Sequence, residues 1–193
     1  MKHLKRILLP RTAIMLLVMM LTTATTAWAW QGSGTSSNPY KIASYDDLLT
    51  LRNSVNGGEK YQNAYFEQTQ DITWPSGTTW DRGIGYDYSH CFSGHYNGNG
   101  KKISGFRLTT SDTNAGLFGF ISGSYQGSEQ TSVIEEVHHL TLENPTVTVT
   151  ASSSTQYAGA LVGNTEQCGR ADNNTVIGGT VSYTGVSSLQ ILN

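Results

Sequence analysis

With 193 residues, only 13% of them charged, and a formal net charge of -2, the chain lacks the basic excess that a nucleic-acid partner requires. Its 21 glycines, with abundant Ser, Thr and Asn and few Lys or Glu, argue against long solvated helices. They favour short strands joined by many turns.

The first residues divide into a basic stretch with Lys2, Lys5, Arg6 and Arg11, an apolar run over 13–21, and a small-residue tail ending Ala27-Trp28-Ala29. This order predicts a signal peptide over 1–29, cleaved after Ala29, and therefore a secreted or cell-surface product. A permanent anchor needs about 20 mostly apolar residues. Here Thr22, Thr23, Thr25 and Thr26 interrupt the run, so no permanent transmembrane helix is expected after cleavage. No cysteine lies near the cleavage point to carry a lipid. The remaining 164 residues suit one domain.

Residues 30–64 read as an N-terminal cap with one helix over about 44–56. Ser44 can cap the free amides of a first turn holding Asp46 and Asp47. Leu48, Leu51 and Val55 follow at helical spacing, and Asn56-Gly57-Gly58 supplies the stop. From residue 65 onward the pattern is β. Tyr65 to Ile72 reads as strand, Asn97-Gly98-Asn99-Gly100 as a turn, and the stretches 92–96 and 102–108 as the strands that flank it.

Two internal echoes follow. Ala115-Gly116-Leu117-Phe118-Gly119 returns 44 residues later as Gly159-Ala160-Leu161-Val162-Gly163. The stretch from Val137 to Leu142, followed by Val147, aligns with Ala171 to Val176, followed by Val181, at an offset of 34. One length change in the Ser/Gly-rich region 122–132 reconciles the two offsets. Repeating units with a loop insertion are what stacked coils leave in a sequence. Val137 lies three positions before Leu140 and breaks strand alternation, so a corner or bulge is expected at His138-His139.

At Gly116, Leu117, Phe118 and Gly119 the chain resembles the bacterial proteins carrying the GLUG motif. The second copy, Ala160, Leu161, Val162 and Gly163, has Ala in place of the first Gly. The order of Asn38-Pro39-Tyr40-Lys41-Ile42, the helix, Asp71-Ile72, Ile84-Gly85 and Phe92-Ser93-Gly94 extends the resemblance over roughly 38 to 183. The resemblance implies an all-β fold, a right-handed parallel β-helix or β-solenoid behind a short N-terminal capping helix, in large exported adhesin-like surface proteins. Some family members accompany a metallopeptidase. The motif itself is structural and transfers no catalytic site. Solenoids need a closing cap, and the chain stops at Ser187 to Asn193 soon after the second repeat. An incomplete C-terminus, as in a piece of a longer protein, is therefore expected.

No residue pattern fixes a chemistry. A His-Glu-x-x-His zinc motif is absent, and His138 and His139, as strand neighbours, are expected on opposite faces. His90, Cys91 and His95 have ligand chemistry but no zinc spacing. Ser93 and Ser104 sit in turn sequences. Asp71, Asp81, Asp87, Asp112, Glu135, Glu136 and Glu143 are scattered. No catalytic residue, metal site or cofactor is therefore expected. A pectate-lyase-like polysaccharide enzyme and the spacer of a surface peptidase stand as alternatives. Cys91 and Cys168 permit either a disulfide or two separate thiols. For binding, Tyr86, Tyr88 and His90 alternate and would share a face of an extended strand, with Trp80 and Tyr96 nearby, as a platform for a glycan or a host or surface protein.

Overall fold

Ser44 begins the single helix among the described residues. Its extended backbone (φ -147°, ψ 166°) leaves the hydroxyl oxygen to accept from the Asp47 amide. The Asp47 carboxylate in turn accepts from the Ala43 amide (2.9 Å) and the Ser44 hydroxyl (2.8 Å), a reciprocal cap. Helix α1 spans Tyr45–Asn56 and buries Leu48, Leu51 and Val55. Gly57 keeps a right-handed conformation, and Gly58, at φ 104°, turns the chain away. The computed structural model describes residues 30–126, 131–133, 135–150, 156–184 and 190–191. The expected leader over 1–29, and most of the expected C-terminal end, lie outside the described residues.

Among the described residues all other regular structure is strand, and almost all of it pairs in parallel. One sheet takes β1 (Tyr40–Ile42), β2 (Tyr65–Gln68), β4 (His95–Asn97), β11 (Glu135–His138) and β16 (Gly169–Asp172) in that order. A second takes β3 (Ile72–Thr73), β5 (Lys102–Ser104), β12 (Thr141–Glu143) and β17 (Thr175–Ile177). A third takes β6 (Arg107–Thr110), β13 (Thr146–Val149) and β18 (Thr180–Tyr183). β7 (Asn114–Ala115), β14 (Tyr157–Ala158) and β19 (Gln190–Ile191) form a fourth, and β8 (Phe118–Ser122) pairs with β15 (Val162–Glu166). Successive passes of the chain therefore visit the same sheets in the same order.

The last passes hold one register. Val137 faces Ala171, Thr141 faces Thr175 and Thr146 faces Thr180, each 34 residues on. Around the motif the spacing is 43 at Ala115 and Ala158 but 44 at Phe118 and Val162. One extra residue is thus accommodated near Gly159-Ala160. The length change in region 122–132 falls at two strands, β9 (Ser124–Gln126) and β10 (Thr131–Val133), that pair with each other in antiparallel fashion and with no strand of the parallel sheets.

Corners between sheets are made by residues at positive φ. Gly105 (77°), Asn144 (50°) and Gly178 (64°) occupy one corner in three passes, between the second and third sheets. The stretch 102–108 is therefore two strands in different sheets and not one, because the left-handed turn at Gly105 redirects it. Likewise 92–96 is not continuous strand; Phe92 makes an isolated bridge to Ile121, and β4 begins at His95. Asn97-Gly98-Asn99-Gly100 links strands of different sheets. At the equivalent corner of the next pass His139 (φ 53°) takes the left-handed turn, and Val137, Leu140 and Leu142 all point inward.

Side chains from Ile42 to Leu161 fill one core, against which Val181 and Tyr183 of the last described pass pack while Val176 and Ile177 remain about half exposed. Phe66 meets Phe92 (centroids 5.8 Å), which meets Phe118 (5.3 Å), which meets Tyr96 (5.3 Å). Trp74 packs edge-on to Trp80 (4.8 Å) and Phe106 (4.9 Å) beneath the helix. The buried Tyr96 hydroxyl donates to Gln68 (3.0 Å), whose amide donates to the Gln70 and Lys102 carbonyls, so this internal polar group is satisfied. Burial pushes the Tyr96 phenol far above its ordinary value.

The motif glycines lie where backbone meets backbone. A Cβ on Gly163 would stand 2.6 Å from the Ala115 nitrogen and 2.7 Å from the Gly119 oxygen; one on Gly116 would stand 2.8 Å from the Gly163 nitrogen. Ala160, the departure from the motif, is half-buried and lines a cavity of about 680 Å³ beside the last pass, which leaves room for its methyl group.

Candidate ligand-binding surface

The five polar and aromatic side chains expected to form one platform separate into three environments. Trp80 is 3% exposed. Its indole nitrogen donates to the Tyr45 hydroxyl (3.0 Å), and the Arg52 guanidinium lies 5.0 Å from its ring centre. Tyr96 is fully buried on an inward position of β4. Neither offers a ring to a ligand, which corrects the expectation for both: helix α1 covers the first, and strand alternation turns the second inward.

Tyr86 and His90 do not alternate along a strand. Residues 85–90 form a closed loop, in which the Tyr86 amide donates to the His90 carbonyl (3.0 Å), and the two rings stack on each other at 4.5 Å. The Arg82 guanidinium lies 3.9 Å from the Tyr86 ring centre and binds Asp112 through two bonds of 2.7 and 3.1 Å. Asp87 accepts from the His90 amide (2.8 Å) and contacts its ring nitrogen (2.9 Å). Burial alone would raise the Asp87 carboxyl, but these bonds outweigh it and hold the group below its ordinary value. Asp112, Arg82, Tyr86, His90 and Asp87 thus form one rigid stack that fixes the loop.

Tyr88 stands apart from that stack and is 53% exposed. The Lys60 ammonium donates to its carbonyl (3.0 Å) and sits 4.9 Å from its ring centre, while the Gln167 amide donates to its hydroxyl (3.1 Å). Beside it lies a cavity of about 220 Å³ lined by Lys60, Gln62, Tyr88, Cys91, Ser93, Ser122, Gly123 and Gln167. The Ser93 hydroxyl at its floor donates to the Ser122 carbonyl (2.6 Å). Cys91 is buried and Cys168 half-buried, and both are free thiols, so no disulfide joins them.

A second charged surface, not foreseen from the sequence, covers the five-stranded sheet. Tyr65 stacks on His95 (4.2 Å) in the neighbouring strand. Glu136 on the next pass binds Arg170 on the pass after (2.5 Å) and lies 3.6 Å from His138. Burial lowers the His95 and His138 pKa values, and the neighbouring Glu136 opposes this only in part. The expectation that His138 and His139 face apart is corrected. The left-handed turn takes His139 off the strand, and the two Nδ1 atoms meet at 2.6 Å. The signal for this surface was the 34-residue spacing of Glu136 and Arg170, legible only once the register is known.

The carboxylates are committed to separate partners. Asp81 pairs with Arg52, Glu143 binds Lys102 (3.3 Å) and Ser104 (2.8 Å), and Asp71 accepts from the Lys102 amide (3.0 Å). Among the described residues no three His, Cys, Asp or Glu side chains converge as a metal site would require. Gly116, Leu117, Phe118, Gly119, Leu161, Val162 and Gly163 serve the close packing of passes.

No family model matches the chain, and no solved structure does. Among curated proteins, a Gly-rich membrane protein of Evansella cellulosilytica is 36% identical over 139 residues, covering 69% of this chain and 14% of that protein. Halomucin of Haloquadratum walsbyi is 29% identical over 159 residues, covering 79% of this chain and 2% of halomucin. The chain thus spans a small fraction of the length of these relatives. No helix of the described residues is long and apolar enough to cross a membrane.

Proposed function

We propose that the chain is a β-solenoid module of the GLUG type, exported behind the leader at 1–29 and acting at the cell surface as a structural and adhesive scaffold. The observation that carries this reading is the parallel, in-register pairing of successive passes across the same sheets, capped at one end by helix α1. Passes with a neighbour on both sides bury their apolar face, as Ile103 and Leu142 do, whereas their counterpart Val176 in the last described pass stays about half exposed, the energetic logic of a repeat protein. The glycines of the motif allow that approach. The names of the relatives, a membrane protein and halomucin, and their much greater length fit a module of large surface-associated chains.

Such an architecture offers long flat sides and fixed corner loops, and the loop at 85–90 is braced by the Arg82 guanidinium, itself paired with Asp112, against the Tyr86 ring and by the hydrogen bonds of Asp87 to His90. It therefore presents Tyr88 at little entropic cost, which suits a contact residue. A glycan array probed with the full chain tests the reading. Binding that is lost in Tyr86→Ala/Tyr88→Ala without cleavage of the bound glycan is expected. Release of shortened products from the array would replace the scaffold reading with a polysaccharide-cleaving enzyme.

A further inference from the structure

We infer that the cavity beneath Tyr88 is a subsite for one anionic sugar residue, carboxylated or sulfated, of a surface polysaccharide. This rests on the adhesive reading above and names the ligand class that reading leaves open.

The cavity is built by parts of the chain that meet only through the stacking of passes: residues 60 and 62 beyond the helix, 88–93, 122–123, and Gln167 at the turn after β15. Its lining contains a lysine and no carboxylate. The Lys60 ammonium makes no ion pair among the described residues; its partners are the Tyr88 carbonyl and the Tyr88 ring. One of its three N–H groups is used on the carbonyl, so two remain to donate. Of the acidic residues next in sequence to the lining, Glu59 accepts from the Tyr61 amide (3.2 Å) and Asp87 from His90, while Glu166, beside Gln167, is exposed and does not line the cavity.

The hydroxyl of Tyr88 is also set as a donor. Gln167 donates to its oxygen, so the phenolic proton is free to point at a ligand. Lysine, the phenol and the Gln62 amide give a donor-rich rim on a small polar hollow, the complement of a carboxylate or sulfate group. The aromatic ring beside it supplies the apolar contact that a sugar's C–H face takes. At about 220 Å³ the hollow falls below the usual size of a drug-like pocket, roughly 300–1,000 Å³, and suits one sugar unit of a longer chain. Gly123 keeps the hollow's edge thin: a Cβ there would stand 2.7 Å from the Cys168 Cβ.

Titration calorimetry of the full chain tests this with three probes: oligogalacturonate for carboxylated sugars, a chondroitin sulfate oligosaccharide for sulfated ones, and maltohexaose as the neutral control. Binding of at least one acidic probe is expected, weakened by added salt. Loss of a hydrogen-bonded charge should reduce that affinity about tenfold or more in Lys60→Gln. Tyr88→Phe, which retains the ring and removes the hydroxyl, should give a smaller loss. An unchanged melting temperature in either variant would show that folding is intact. Maltohexaose bound as tightly as the acidic probes, and equally in Lys60→Gln, would overturn the anionic subsite while leaving an adhesive scaffold in place. No binding of any probe by a folded chain would overturn the subsite, and the glycan array above would then decide the broader reading separately.

Discussion

Replacing Gly163 by alanine isolates the demand that close-packed passes make on the chain. The added methyl would stand 2.6 Å from the Ala115 nitrogen, 2.7 Å from the Gly119 oxygen and 2.9 Å from the Ala115 oxygen, all backbone atoms. Ordinary contact lies near 3.5 Å, so the two passes must separate by roughly 0.8 Å. Overpacking of this kind costs about 1–3 kcal/mol. The separation also strains the bonds from the Phe118 amide to Leu161 (2.8 Å) and from the Gly159 amide to Ala115 (2.9 Å), worth about 1 kcal/mol each. The sum is about 3–5 kcal/mol, or roughly 10 °C in melting temperature for a domain of this size. Gly77→Ala is the matched control. Its position has φ 76° and nothing within 4 Å, so it pays only the left-handed backbone cost of about 1 kcal/mol. Urea unfolding of both variants followed by circular dichroism gives the comparison. If Gly163→Ala loses no more than Gly77→Ala, backbone proximity is not what the motif glycines serve.

Two further outcomes follow from the corners and the histidine surface. At His139, held at φ 53°, substitution by Asn should leave the urea midpoint unchanged or raise it, whereas Val should cost about 1–2 kcal/mol; equal midpoints would show the turn to be unstrained. Burial lowers the pKa values of His95 and His138 below 6.5, so between the folded and unfolded values the unfolded chain binds more protons. Stability should be fully present above pH 6.5 and fall as the pH drops through that window. A melting series from pH 8 to 5 should show a shallower fall in His138→Gln, and an identical fall would remove His138 as a cause.

Several features were legible because they rest on local rules. Ser44, the two aspartates and the Leu48, Leu51 and Val55 stripe define α1 without help from the rest of the chain. The corner at His139 was legible too, since Val137, Leu140 and Leu142 could not all point inward along an unbroken strand. The 34-residue spacing became visible because both passes keep their corners equally far apart. The platform was misread for a nonlocal reason. Whether Trp80 reaches solvent depends on where a helix roughly 30 residues earlier is laid, and whether Tyr86 shares a face with Tyr88 depends on a loop closed by the Tyr86 amide on the His90 carbonyl. Residues 60, 88 and 167 gave no signal of their meeting, since each belongs to a different pass and only the completed stack makes them neighbours.

The β9–β10 hairpin carries a consequence for engineering. After β8 the strands β9 and β10 pair with each other in antiparallel fashion, and from β11 the chain pairs in parallel again. An excursion anchored at both ends lengthens at a cost that grows only slowly with loop size, about 0.6 kcal/mol for each doubling. A foreign peptide or small folded insert that enters the sequence between β9 and β10 therefore meets no rung of the parallel sheets on its way. The parallel strands before and after it keep their own pairing.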